Sequence, residues 1–504
     1  MTLQLPNDHR RTIPRWRNSW VALSTGELVS SKPTKKIVIS GVDNFQTKFQ
    51  EWSENATIET ASELVFAGLS LGRAKDVIDA AEFLREHSSN VMPAVLSITD
   101  TVIARSEGKS LEVSNTPIGF EAKELYTRIH NFRKALIDYP RNALMWVDLS
   151  RAYAVVGEWN KASNAMKRAL TLAPSNRFVL RSSARLYVHL DEPDRAHFIL
   201  ANEPRTQNDP WLLAAEIAIS NVVGTQSKFI RNSRNLLAER NHHPFHTAEL
   251  ASALATLDLV NGANRKARKL FEASLENPTE NTVAQSIWAK KSLPTLEIGN
   301  AITKTPGTYE ARALNAYLAL DWKGVVAASI DWLLDEPFSS RPAVLGSYAA
   351  ATGLEDYKLA ESITRNGLIA NPNDPTLINN HAFTLANQNK PIEALEVLKL
   401  ASRPAPNKGT EIVLRATEGL IDLKLGNWEA GQAKYLDAIS MAQKESLHTI
   451  AVLAAMHFVN ELVNLGQISV GEGIDFVERV SPKTSDPDIV WLSQKLKSKQ
   501  NKSI

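Results

Sequence analysis

The sequence predicts an all-α solenoid built from helical pairs that repeat along 504 residues. Three observations predict it. The stretch from Asn142 to Pro174 reads as two short helices meeting at Gly157. Its markers return 34 residues later, at Pro140 and Pro174, Tyr153 and Tyr187, Ala162 and Ala196. The composition, 43% hydrophobic and 22% charged, is that of an ordinary soluble chain. A repeat array is not bound by the usual domain-size arithmetic, because each unit buries surface against its neighbours alone.

Within the leading unit, Trp146, Leu149 and Tyr153 share one face of the first helix at i, i+3 and i+7. Ala162, Met166 and Ala169 share one face of the second. Ser150 and Ala162 are small, as a close crossing of two helices requires. Pro174 ends the unit, since proline cannot continue a helix.

In chain order, residues 1–42 read as a basic arm, irregular or with short strands; Pro6, Pro14 and Pro33 interrupt any helix, and Lys36 to Ser40 is β-branched. Residues 43–119 read as helical pairs, the first carrying Phe45, Phe49 and Trp52 on one face, with a polar loop from Glu107 to Gly119. Residues 120–278 form a first subarray with units at Asn142–Pro174, Arg177–Ala201, Trp211–Arg240 and Ala248–Pro278. The period then breaks, and 279–307, with Pro294 and Pro306, is expected to be an irregular joint. A second subarray spans 308–440, where Asp321-Trp322 and Gly426-Asn427-Trp428 echo the turn Gly157-Glu158-Trp159. Residues 441–504 hold about three helices and a basic capping tail.

Trp146, Leu149, Tyr153, Gly157, Ala162, Ala169 and Pro174 stand at the spacings of the tetratricopeptide repeat, which this chain resembles over roughly Phe120–Ser440. The resemblance implies a right-handed superhelix whose first helices line a concave groove that holds an extended peptide or a partner helix. On that face it places Val147, Arg151 and Val155, then Arg181, Arg185 and His189 one period on. The arginines would form a basic patch for carboxylates or phosphates; the competing reading is a solvated helix face. Asn379 and Asn380, followed by His381, suit gripping a peptide backbone, against a plain surface or capping role. The subfamily that clamps chaperone tails with lysine and asparagine has Val147 and Arg151 at the corresponding places here, which argues against that role.

Charge is uneven. Residues 1–40 hold seven Lys/Arg against two acids, and the tail from Ile489 holds four lysines and no acid, so the body between them is net −7 within an overall +2. Basic ends on an acidic body predict tails that meet an acidic partner or fold back on their own body. In the arm, Arg10, Arg11, Arg15, Trp16 and Arg17 are candidate contacts: docking on the body or a partner protein is favoured over nucleic acid or an anionic membrane surface, and over a free tail.

Enzyme signals are weak. Gly68-Leu69-Ser70-Leu71-Gly72 matches a nucleophile pattern but lacks the strand before the serine that this chemistry needs. Gly108-Lys109-Ser110 lacks the earlier glycine of a phosphate loop. His242, His243 and His246 surround Pro244 and read as a loop rather than a metal site. With no cysteine, disulfides and thiol chemistry are excluded. No catalytic residue, metal or cofactor is expected. No apolar run reaches the length of a membrane span and no secretory leader is visible, so a cytoplasmic location without integral membrane association is expected. The expected function is a non-enzymatic scaffold or adaptor binding a protein or peptide partner in the groove, as a subunit of a larger assembly. The alternatives are a nucleic-acid-associated accessory protein and a peptide-sensing regulator.

Overall fold

A computed structural model describes residues 12–19, 41–70, 73–91, 93–106, 122–401, 407–480 and 487–500. Among them are 26 α-helices and no β-strand. Lys36–Ser40, Gly72, the loop Glu107–Gly119 with Gly108-Lys109-Ser110, and arm residues Arg10 and Arg11 lie outside the described residues.

From residue 122 the architecture is an α-solenoid of helix-turn-helix units. The leading unit pairs Ala143–Val155 with Trp159–Leu172, and the next pairs Arg177–His189 with Pro193–Asn202. The first helices begin on recurrent caps. Asn142, Asn176, Asp209, Thr279, Asp374 and Asn407 each accept a hydrogen bond from a backbone N–H of the turn they open. The turn into the second helix recurs as well. Gly157, Asp191, Gly224, Gly262, Leu320, Glu355, Asn389, Gly426 and Gly466 all take a positive φ there. At the crossing of the leading pair, the Ser150 hydroxyl donates to the Ala162 carbonyl at 2.7 Å and both residues are fully buried.

The segment 279–307 carries more regular structure than its prolines announce. Glu280–Lys290 is a full helix opened by Thr279, and only after it does the chain become irregular, around the short helix Ala301–Lys304. The period breaks because this first helix has no second helix of ordinary length, not because the array stops.

Residues 41–106 form helices Gly41–Glu54, Ile58–Ser70, Ile78–Glu86 and Pro93–Ser106 around a core of their own that includes Phe45, Leu64 and Leu84. At the other end, the helix Pro487–Gln500 returns to the array. Trp491 packs on Trp322 with ring centroids 5.6 Å apart and donates to the Thr352 carbonyl at 3.4 Å.

The superhelix closes on itself where units 184 to 211 residues apart in sequence meet. The Trp159 indole donates to the Ala370 carbonyl at 3.1 Å, and the Arg151 guanidinium donates to the Asp335 carbonyl at 2.8 Å. Gly157 lies in the seam: its φ is +72°, and a Cβ there would stand 2.9 Å from the Ile369 carbonyl oxygen. Gly262 has a similar φ of +76° with open space around it. Gly157→Ala is therefore expected to cost about 2 kcal/mol and Gly262→Ala only about 1. Urea unfolding of the two variants measures the difference, which belongs to the closure.

Candidate functional site

The closed turn surrounds a groove, and the groove is occupied by the chain's own residues 12–19. Residues 12–18 have no helix or strand, and their burial alternates: Thr12, Pro14 and Trp16 are buried while Ile13, Arg15 and Arg17 are half-buried. A period of two is that of extended chain. Thr12 meets the Ser252 hydroxyl, the Ile13 carbonyl accepts from Asn281 at 2.9 Å, and the Trp16 carbonyl accepts from Arg151 at 3.0 Å. Ser19 donates to Asp148 twice, from its amide at 2.9 Å and its hydroxyl at 2.7 Å.

The two arm arginines sit in acidic sockets. Arg15 bridges Glu310 and Glu336. Arg17 pairs with Asp335 at 2.8 Å and with Glu280 at 3.1 Å. Between them the Trp16 indole is fully buried, its ring centroid 5.2 Å from that of Phe338. Phe338 is also covered by the Arg185 guanidinium at 4.9 Å and edged by His189 at 5.5 Å.

The electrostatics follow from burial. At Glu336 burial would favour the protonated form, but Arg15, Arg185 and the Trp332 indole N–H overcome it and hold the carboxyl at about 2. Arg15 is correspondingly raised above its ordinary value against the burial cost, by Glu336 and Glu310. Burial, with Arg185 beside it, lowers His189 to about 3, so the ring is neutral. Asp148 is raised by burial despite its two bonds from Ser19.

The residues expected on the groove face are placed as follows. Arg151 and Arg185 are in the groove, but engaged with the arm and with the chain's own carbonyl and carboxylate groups. Arg181 is closed off by Glu249 at 2.8 Å and the Trp211 carbonyl. The three arginines therefore do not form an open basic patch, because each meets an acceptor from its own chain. Asn379 and Asn380 are buried, and Asn380 donates to the Ser347 hydroxyl at 3.3 Å. Burial within the array, not exposure, is their condition. Of the arm candidates, Arg15, Trp16 and Arg17 are seated as described. Ser70 ends the helix Ile58–Ser70 with no strand before it among the described residues. Among those residues no three metal-ligating side chains converge; His243 caps Phe245, and His246 accepts from the Trp211 indole at 3.2 Å.

Sequence reasoning did not single out the sockets themselves: Glu280, Glu310, Asp335 and Glu336. Their signal was the −7 body beside a +5 arm, but total charge does not say which acids face inward.

Beside His189, two further histidines give the fold an acid response. Burial and Arg177 lower His246 to about 4, and burial lowers His381, whose ring meets the Thr364 hydroxyl at 2.9 Å, to about 4. Both lie below the unfolded value of about 6.5, so between those limits the unfolded chain binds more protons and stability falls with falling pH. Urea unfolding at pH 7 and pH 5 is expected to show a loss of about 1–2 kcal/mol per histidine. His381→Asn should remove its share of that slope.

No family model matches the chain, and no curated protein matches it. Among solved structures it is similar to yeast Tom70, at 13% identity and TM-score 0.31 over 75% of this chain and 93% of that one. It is similar to a chain of the APC/C hetero-tetramer Cut9-Hcn1, at 11% identity and TM-score 0.31 over 90% and 93%. A third likeness is to the human IFIT1 dimer with m7Gppp-AAAA, at 10% identity and TM-score 0.28 over 87% and 93%. Nothing about function is carried from likenesses this distant.

Proposed function

We propose that the protein is a non-enzymatic scaffold whose concave groove binds an extended segment of a protein partner, as an adaptor within a larger assembly. The observation that carries this reading is the groove itself, which receives the non-helical residues 12–18 along first helices Ala143–Val155, Pro244–Val260, Glu280–Lys290 and Tyr309–Leu318. A surface that grips one segment by its side chains is built for segments of that kind. Nucleic acid is the less favoured partner, because Arg15, Arg17, Arg151 and Arg181 already meet acceptors of the chain itself. No described helix is long and apolar enough to cross a membrane.

The test is affinity capture of the full chain's partners with and without nuclease, followed by cross-link mapping. A protein partner that survives nuclease, with cross-links on the first helices, supports the reading. Recovery of nucleic acid alone, lost with rising salt, would replace it with the nucleic-acid alternative.

A further inference from the structure

The arm supplies two of the guanidiniums that meet the carboxylates of the groove. Four carboxylates, Glu280, Glu310, Asp335 and Glu336, face the groove, and the walls set Arg341 on Glu310, Arg185 on Glu336 and Arg151 near Asp335 and Glu336. The other two guanidiniums come from Arg15 and Arg17 of the arm. Glu310 and Glu336 have side chains 1% and 2% exposed, where an uncompensated carboxylate is strongly disfavoured. The groove is therefore shaped to receive a pair of guanidiniums flanking one aromatic residue whose ring fills the Phe338 pocket.

Nothing in the solenoid requires that the pair come from the same chain. The arm's sockets lie 129 to 321 residues away in sequence, and no helix or strand joins the segment to the units that hold it. Recognition runs through side chains, with backbone contacts limited to the Ile13 and Trp16 carbonyls and the Ser19 amide among the bonds described. The groove thus reads a sequence, Arg-Trp-Arg, rather than a generic backbone.

We propose that the groove is a receptor for an extended Arg-aromatic-Arg segment of a partner protein, and that residues 12–19 are its occupant in cis, which such a segment must displace. This rests on the groove-binding reading above and names the chemistry of its partner. Tethering gives the arm a high effective concentration, so the intact chain resists weak segments and admits those that match both sockets and the pocket.

The test uses the full chain and a fluorescein-labelled peptide of sequence Thr-Ile-Pro-Arg-Trp-Arg-Asn-Ser. Arg15→Glu/Arg17→Glu sets like charges against the sockets and empties them; Ser19→Glu, set against Asp148, is a milder second variant that leaves both arginines in place. By fluorescence anisotropy, at least one variant that retains cooperative unfolding is expected to bind the peptide at least tenfold more tightly than the wild-type chain. Alanine in place of the peptide's tryptophan should abolish the gain. Failure of both folded variants to bind the peptide, or equal binding by wild type and variants, overturns the proposal. So does a wild-type dimer that the peptide dissociates, because the arm would then serve a second copy. If a captured partner cross-links to the groove but the peptide does not compete with it, this proposal fails and the groove reading stands. Peptide binding with partner cross-links confined to the outer helices gives the reverse.

Discussion

Trp16→Ala is expected to destabilise the folded chain by about 3–5 kcal/mol, the range for deleting a fully buried large aromatic. The indole is 0% exposed and packs on Phe338 in a pocket that Arg151 also approaches, its guanidinium 5.9 Å from the Phe338 ring. Alanine would leave a void that the closed turn cannot fill from its rigid helices. The loss has a ceiling: once it exceeds the arm's hold on the groove, the arm leaves, and the array keeps the residual stability of its hairpins. Trp16→Phe keeps a ring on Phe338 and should lose less than half as much. Urea unfolding followed by circular dichroism checks both, and equal stability of Trp16→Ala and wild type would show that the pocket contributes nothing.

Glu336→Gln is expected to be comparably severe, at about 3–5 kcal/mol, for a different reason. Glu336 serves Arg15, Arg185 and the Trp332 indole N–H, which donates to it at 2.9 Å. Neutralising it leaves two buried guanidiniums short of charge while changing almost no volume. Removing one partner of such a pair is worse than removing both. The double variant Arg15→Gln/Glu336→Gln should therefore lose less than the sum of the single variants, and the cycle isolates the coupling. The exposed pair of Lys161 and Glu158, with side chains 57% and 38% exposed, is the control: Glu158→Gln should leave stability nearly unchanged. The carboxyl of Glu336 is held at about 2, against about 4.5 unfolded, so this contribution is present above about pH 4.5 and is lost as pH falls through the folded value.

The helical pairs were legible because local chemistry writes them. The caps Asn142 and Asn176, the turn at Gly157 and the small crossing residues Ser150 and Ala162 each act within one unit, and a 34-residue recurrence makes such signals visible. The helix Glu280–Lys290 is masked in the sequence by the prolines after it, because the 34-residue period marks whole pairs and this first helix lacks an ordinary second one. At the groove, periodicity placed Arg151 and Arg185 on the inner face but could not say what they face. That depends on closure of the superhelix, which brings Asp335 to Arg151 across 184 residues. Asn379 and Asn380 show a nearer limit: a polar pair on a first helix looks available until packing on the neighbouring unit, where Asn380 meets Ser347, is seen. The arm was readable as charge and aromatic content. Its sockets were not, because Glu280, Glu310, Asp335 and Glu336 come from separate units and meet only in three dimensions.

Residues 12–19 are seated in the groove of their own chain. Native-state trypsin digestion of the full-length protein, with the fragments read by mass spectrometry, tests this seating most directly. The bonds after Arg15 and Arg17 must enter the protease in extended form, which a segment locked between buried carboxylates cannot do. Both bonds are expected to stay intact in the wild-type protein, and the bond after Arg17 to be cut rapidly in Arg15→Gln/Glu336→Gln, once the arm is loosened. Rapid cutting after Arg15 and Arg17 in the wild-type chain, while the helical array remains whole, would contradict it.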